Sequence, residues 1–506
     1  MRDAIAIASV PGVSYERGRW MNRQIVQLFG LTLILFAVLI GFTSRWTVFE
    51  AASLEDQTLN KRPLLEQQRI PRGLILARDG EELARSVPRG RGQRRTYERT
   101  YPQGDLFGHP VGYSYIEREE TGIEKYRNDE LTGNVNEFST IFRELQSQKR
   151  EGDDVMTTLD MDGQREALEA LAGQRGAIVA LEPQTGRVRV MASSPTYDPN
   201  RIPDDDYYED LNADEEARPL VNRTTQSAYQ PGSTFKVVTA AAALDSGKLT
   251  PDSIVDGSSP ATISGAPLAN SGNQSFGPIS FTDALTFSVN TVFARVGEQV
   301  GPKTLLEYMD RFGFNQDPQL DYPEDQMIAS GIRNSEGRLV GPDDGFDVGR
   351  VAIGQGGAEG QIQVTPLQMA LVAAAVGNRG RLMRPRLTER IVGKDGRVEE
   401  QIEPAQQSQV MKPESADQLA QMMSDVVEEG TGVQAALSGI DVAGKTGTAE
   451  VRDASLNQVW FIGFAPVQNP RMAIAVTLED QPIGTSGGAN AAPLAAQVLQ
   501  TLLGGG

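Results

Sequence analysis

Between Ile25 and Phe42 the chain runs through eighteen residues without a charge, interrupted only by Gln27, Gly30, Thr32 and Gly41. Wound as a helix the run would be about 27 Å long, close to the hydrocarbon thickness of a bilayer. It is the only stretch of membrane length, so the chain is expected to cross a membrane once and to fold almost entirely on one side of it. A cleaved secretory signal is the competing reading, but its apolar core is usually shorter, and no convincing small-x-small cleavage site follows Phe42. Arg2, Arg17, Arg19 and Arg23 precede the span, which places the short tail in the cytoplasm and the remainder outside. Met21 is a second candidate start, because Met21-Asn22-Arg23 would suffice before the anchor.

The remainder is large. At 506 residues and 39% hydrophobic content the chain can bury a substantial core, and its length suggests two to four domains. The formal charge of −19 argues against nucleic acid as a partner, since a polyanion would be repelled over most of the surface. There is no cysteine, hence no disulfide, thiol nucleophile or thiolate metal site. The single histidine, His109, lies in the turn-like Phe107-Gly108-His109-Pro110 and reads as a satisfied surface residue. One imidazole cannot build a zinc site, so neither metal nor cofactor is expected, and a general base would have to be lysine.

Such a lysine stands in Tyr229-Gln230-Pro231-Gly232-Ser233-Thr234-Phe235-Lys236, ahead of an apolar run from Val237 to Leu244. Pro231-Gly232 marks a turn, and a buried helix is expected to open at Ser233. Residues three apart share a helix face, which brings hydroxyl and amine together. An amine accepts a serine proton only when desolvation or a neighbouring cation lowers its pKa, and the apolar run supplies burial. Of nine lysines only Lys236 has a serine three residues before it. Another, Lys445, sits in the small-residue strand Ala443-Gly444-Lys445-Thr446-Gly447-Thr448-Ala449, where backbone can approach a substrate closely.

This set resembles the penicillin-binding proteins and serine β-lactamases, whose signature is Ser-x-x-Lys, Ser-x-Asn and Lys-Thr-Gly in that order. Ser-x-Asn occurs at Ser271-Gly272-Asn273, Ser288-Val289-Asn290 and Ser455-Leu456-Asn457. Chain order excludes the last, and the first lies in a Gly- and Ser-rich loop. Ser288 and Asn290 lie between apolar segments that could hold a turn rigidly over a cleft.

From Arg45 to about Gly152 the chain is polar, Arg-rich and reads as extended strands and loops. Arg72 to Gly80 alternates into an Asp79-Gly80 hairpin signal, with Glu82-Leu83-Ala84 returning. With Gly112-Tyr113, Thr121-Gly122-Ile123-Glu124 and Leu131-Thr132-Gly133, these elements are similar to the pedestal of class B, or monofunctional, penicillin-binding proteins, and Tyr97 to Pro102 is similar to the penicillin-binding protein A group. The six arginines from Arg85 to Arg99 read as a solvated charged face, and the eight carboxylates from Asp204 to Glu216 as a mobile surface loop.

The resemblance implies an α+β fold: a penicillin-binding, serine β-lactamase-like transpeptidase domain, with an antiparallel sheet packed by helices, after one transmembrane helix and a strand-rich pedestal. It divides the chain into a tail at 1–24, an anchor at 25–45, a non-catalytic pedestal or dimerisation domain at 46–153 and a transpeptidase domain at 154–503. Within the last, strands are expected at Val155–Leu159, Val459–Ala465 and Met472–Leu478, and a hairpin from Gly176 to Met191. Helices are expected at Asp162–Ala172, at Ala416–Val427 capped by Ser415, and at Ala491–Leu503.

The implied function is cross-linking of peptidoglycan stem peptides by a serine D-Ala-D-Ala transpeptidase that β-lactams inhibit covalently. Ser233 would be the nucleophile and Lys236 the acylation base, Ser288 a proton relay and Asn290 the group orienting Lys236. Lys445 would also be catalytic, its positive potential keeping Lys236 neutral, and with Thr446, Gly447 and Thr448 it would bind the substrate carboxylate. The implied partner is a lipid-linked glycan polymerase of the shape, elongation, division and sporulation family. Roughly 105 residues between anchor and catalytic domain leave too little chain for a glycosyltransferase domain. Alternatives are a membrane-anchored β-lactam sensor, a D,D-carboxypeptidase or a β-lactamase. A β-lactamase of the usual kind would want a Glu-x-x-Leu-Asn stretch between Asn290 and Lys445, and none is present.

Overall fold

The computed structural model describes residues 17–44, 69–91, 95–133, 151–341, 344–357, 360–451 and 455–504. Expectations for the tail before residue 17, for 45–68 and for 134–150 lie outside the described residues.

Among the described residues the N-terminal unit contains one helix, Arg17–Ser44, in which Ile25–Thr43 is long and apolar enough to cross a membrane. Its apolar side chains are exposed all round, from Ile25 to Phe42. The hydroxyls of Thr32 and Thr43 donate back to the carbonyls of Leu28 (2.8 Å) and Leu39 (2.7 Å), so neither needs water.

Residues 69–506 form a second compact unit. Its centre is a five-stranded antiparallel sheet in the order Ala443–Val451, Leu456–Ala465, Met472–Pro482, Gly176–Leu181, Val188–Ser194. The strands read as unbroken apolar runs because helices cover both faces. Alternate side chains therefore enter different cores. Trp460, Ile462 and Phe464 pack with the Ala- and Val-rich helices Lys236–Asp245 and Pro366–Gly377. Val459 and Phe461 pack with Ala167, Leu171, Val498 and Leu499 of helices Met161–Leu171 and Ala492–Gly504. The expected strands and helices thus appear, displaced by a few residues at their ends.

A six-stranded sheet runs in the order Val398–Gln401, Thr388–Val392, Asp154–Thr157, Ile75–Leu76, Glu82–Arg89, Thr96–Thr100. The hairpin expected at Asp79-Gly80 is its turn, pairing Ile75 with Ala84, and Gly80 takes φ 91, a conformation that favours glycine. Ile75 also pairs in parallel with Val155, and Thr157 pairs with Thr388, so distant stretches of chain share one sheet.

Several local expectations are corrected. The acidic run is not a mobile loop: Asp205–Ala213 is a helix whose N-cap Asp204 accepts from the N–H groups of Asp206 and Tyr207. Early carboxylates complement the helix dipole, while the Arg201 guanidinium lies 3.9 Å from the Tyr207 ring centroid and that of Arg118 lies 4.3 Å from the Tyr208 centroid. His109 is buried in the short helix Gly108–Val111, its Nε2 2.9 Å from the Pro219 carbonyl, and burial pulls its pKa down to about 3. Ser415 does not cap its helix, which starts earlier, at Pro413. The polar region is not only extended, because helices Gly122–Tyr126 and Asn128–Thr132 follow the hairpin. Of the arginine run, Arg85, Arg89, Arg91 and Arg95 are exposed, but Arg99 is buried against Glu124.

Candidate active site

Pro231 and Gly232 turn the chain into a single 3-10 turn, Gly232–Phe235, that continues as the α-helix Lys236–Asp245. The α-helical part therefore opens at Lys236, not at Ser233. A 3-10 turn has about three residues per turn, so Ser233 and Lys236 still share a face. Ser233 is half-buried and Lys236 fully buried. Gly232 has φ 52, and a Cβ there would lie 2.6 Å from the Thr448 carbonyl oxygen. Only glycine allows the nucleophile turn to rest on the strand that carries Lys445.

Lys236 Nζ is 2.8 Å from the Ser288 carbonyl, 3.1 Å from Ser288 Oγ and 2.7 Å from Asn290 Oδ1. Among the described residues no hydrogen bond joins it to Ser233. Burial and, second, the positive charge of Lys445 hold the Lys236 pKa well below the ordinary lysine value. Nζ thus donates to two carbonyl oxygens and lies within hydrogen-bond distance of the Ser288 hydroxyl.

Ser288 owes its place to a helix end. Helix Phe281–Thr286 closes with Val289 N–H on the Ala284 carbonyl (2.9 Å) and Ser288 N–H on the Leu285 carbonyl (3.1 Å), the Schellman arrangement. The residue at this cap position is usually glycine, yet here it is Ser288, with φ 57. The strained conformation turns both the carbonyl and the hydroxyl of Ser288 toward the lysine. Asn290 follows at the start of helix Asn290–Val300, its Nδ2 donating to the Ala269 carbonyl at 3.3 Å.

Lys445 is fully buried on the edge strand Ala443–Val451; its Nζ donates to the Thr446 carbonyl at 3.1 Å, and burial lowers its pKa to about 7. A Cβ on Gly447 would stand 2.6 Å from the Pro231 carbonyl oxygen and 3.1 Å from the Trp460 Cβ. The backbones of Gly232 and Thr448 are thus in contact. Thr446 Oγ1 is 2.7 Å from Thr431 Oγ1, and Thr448 Oγ1 accepts from Gly487 N–H at 3.3 Å.

The other two Ser-x-Asn sites serve elsewhere: Ser271–Asn273 is an exposed 3-10 turn, and Asn457 is tied to the Thr485 carbonyl at 3.0 Å. Sequence reasoning missed three contributors. Thr431 bonds Thr446 and donates its N–H to the Thr286 carbonyl (3.3 Å), bridging two motif-bearing elements. Trp460 Nε1 donates to the Gln230 carbonyl at 2.9 Å, and Glu479 accepts from the Tyr229 hydroxyl. Only the Gly430-Thr431-Gly432 loop signal after a helix hinted at the first.

The penicillin binding protein transpeptidase domain model matches residues 176–500, and the penicillin binding protein A dimerisation domain model matches 72–155. Peptidoglycan D,D-transpeptidase PbpA of Mycolicibacterium smegmatis is 32% identical over 504 residues, covering 96% of this chain and 99% of its own length. The PbpA of Mycobacterium tuberculosis is 30% identical over 507 residues, covering 96% of this chain and 100% of its own. Among solved structures, the ceftriaxone acyl-enzyme complex of penicillin-binding protein A from M. tuberculosis aligns with a TM-score of 0.78 at 30% identity, covering 87% of this chain and 100% of that one. The D,D-transpeptidase domain from Eggerthella lenta aligns at 0.74 and 34% identity, covering 86% and 99%. The chain belongs to the penicillin-binding protein transpeptidase family.

Proposed function

We propose that the chain is a peptidoglycan D,D-transpeptidase. Ser233 Oγ attacks the penultimate D-Ala carbonyl of a stem peptide as its proton passes to neutral Lys236. The N–H groups of Ser233 and Thr448 hold the oxyanion, each contributing about 3 to 4 kcal/mol in comparable acyl transfers. As the intermediate collapses, the C–N bond breaks, and the leaving D-Ala amine takes a proton from Lys236 by way of the Ser288 hydroxyl. Lys445, Thr446 and Thr448 bind the D-Ala carboxylate, whose charge restores the proton to Lys445. That positive charge in turn keeps Lys236 neutral. An amine of a second stem peptide then attacks the ester, gives its proton to Lys236 and forms the cross-link, and Ser233 leaves reprotonated.

The observation that carries this reading is the fully buried Lys236 amine held by Ser288 and Asn290 with its pKa depressed. Intact mass after penicillin treatment tests it: a slowly released adduct is expected on the wild type and none on Ser233→Ala, and equal labelling of both would sink it. The same proposal keeps the domain limits near 24, 45 and 153, the tail cytoplasmic and the catalytic region outside. It also keeps the glycan polymerase partner, supported by the family's peptide cross-linking motifs; recovery of no polymerase with the detergent-solubilised full chain would count against the partnership.

A further inference from the structure

Four successive residues before Ser233 are each anchored to a different element. Tyr229 exchanges backbone hydrogen bonds with Val364 at 2.8 and 2.9 Å. The Gln230 carbonyl accepts from Trp460 Nε1, the Pro231 carbonyl is pressed against Gly447, and Gly232 N–H donates to the Gly354 carbonyl at 3.1 Å. Three of these anchors are made by main chain or by close contact and would survive most side-chain changes. The Tyr229 side chain adds a longer lever. Its ring lies edge-on to Trp460, with centroids 6.0 Å apart, and its hydroxyl donates to Glu479 Oε1 on strand Met472–Pro482.

Glu479 is buried, and so is its counter-ion. Arg223 Nε lies 2.9 Å from the same Oε1, and the other guanidinium nitrogens donate to the carbonyls of Ala217 and Arg218. Arg175 Nε lies 3.8 Å from the other oxygen, Oε2, so the carboxylate is paired and fixed without Tyr229. A carboxylate already satisfied by a buried arginine has no need of the phenol for its own stability. The phenol, by contrast, gains a fixed point on the central sheet.

That point matters because of register. Trp460 lies directly opposite Gly447 and Val459 opposite Thr448, so the strand under the Tyr229 ring is the strand that sets the height of the Thr448 N–H. Tyr229 fixes the approach of the nucleophile turn to the same surface. We propose that Tyr229, anchored on Glu479, is a positioning residue that sets the spacing between the Ser233 and Thr448 backbone donors, and hence the fit of the site to the oxyanion formed in acylation. This rests on Ser233 being the acylated residue. The hydroxyl is bonded to Glu479 and is not among the partners of Lys236, so its loss should slow bond formation while leaving prior binding and the lysine's titration alone.

The test compares wild type and Tyr229→Phe as detergent-solubilised full chains with a fluorescent penicillin, separating the dissociation constant of the encounter complex from the acylation rate constant across pH. The rate constant should fall about ten- to hundredfold, the range expected when a reacting group is misplaced by a fraction of an ångström to one ångström. The dissociation constant should stay within about twofold and the pH midpoint should not move. An unchanged rate constant, with or without a lower melting temperature, would overturn the proposal and leave the phenol a purely structural group. A shifted midpoint would also overturn it, since the effect would then run through Lys236. If Tyr229→Phe does not fold, Trp460→Phe, which frees the Gln230 carbonyl of the same segment, should show the same rate-only loss; a loss confined to binding would overturn the proposal. Labelling of Ser233→Ala at the wild-type rate would instead overturn the functional reading beneath it.

Discussion

Both oxygens of Ser288 face the amine of Lys236, the carbonyl at 2.8 Å and the hydroxyl at 3.1 Å, because Ser288 occupies a left-handed helix cap that ordinarily belongs to glycine. Stability and activity are therefore set against each other at one residue. Ser288→Gly keeps the carbonyl contact, relieves the backbone and should raise stability by about 1 kcal/mol relative to Ser288→Ala, while both variants lose the hydroxyl. Melting temperatures and acylation rates together check this. Ser288→Gly should melt higher yet acylate at the slow rate of Ser288→Ala; wild-type acylation by either would exclude the hydroxyl as a relay.

The two buried lysines give a pH signature. Acylation should rise with pH through the depressed pKa of Lys236, because only the neutral amine accepts a proton. Lys445→Gln removes the neighbouring positive charge and should move that rise to higher pH as well as weaken carboxylate binding. Lys236→Arg should abolish acylation, since arginine stays protonated, whereas Lys445→Arg should retain part of it. Rate measurements across pH decide the matter, and a midpoint that Lys445→Gln leaves in place would exclude coupling between the two.

The same burial has a thermodynamic consequence. Lys445 titrates at about 7 when folded and near 10.5 when unfolded, so between these values the unfolded chain binds a proton that the folded chain does not. Stability should fall as pH drops from about 10.5 through 7, with the loss complete below 7. Lys445→Met should flatten part of this slope in a denaturant series; an identical slope would show that the folded protein keeps the lysine charged.

Gly447→Ala should be more damaging than its size suggests. Its Cβ would sit 2.6 Å from the Pro231 carbonyl oxygen and 2.9 Å from Thr234 Cγ2, so the nucleophile turn must move off the strand. Acylation should drop about a hundredfold or more while the protein remains folded. Near-normal acylation in a mass-spectrometric time course would exclude the contact as a determinant of the oxyanion site.

If the catalytic unit is extracytoplasmic, a membrane-impermeant fluorescent penicillin should label Ser233 on intact cells as fully as after lysis. Labelling only after lysis would reverse the orientation read from Arg2, Arg17, Arg19 and Arg23.

The serine, the lysines and the Ser-x-Asn segment were legible because each motif is local, and chain order together with turn chemistry separated Ser288 from Ser271 and Ser455. Contacts between distant residues were not. Thr431 meets Thr446 through a loop whose sequence carries no hydroxyl-pairing signal, and Glu479 meets Tyr229 across 250 positions. The acidic run misled because composition favours solvation, whereas Asp204 caps a helix and the tyrosines within that run stack on Arg118 and Arg201. His109 misled because its turn-like neighbours describe the backbone and say nothing of what packs over the ring. Likewise, the hairpin around Asp79-Gly80 and the strand at Val155 carried local signals, but Thr388–Val392 and Val398–Gln401 did not, and no local pattern pairs Thr157 with Thr388.

That last pairing bears on biosynthesis. Strand Asp154–Thr157 leaves the ribosome long before Thr388–Val392 exists, and at about 5 to 20 residues per second the interval is on the order of ten seconds or more. For that time the early strands have an open edge on the nascent chain. Closing so long a loop is slow, and an unpaired edge is a template for wrong partners. If the catalytic unit is extracytoplasmic, as proposed, its folding should therefore depend on holding factors on the far side of the membrane more heavily than its eventual stability would suggest.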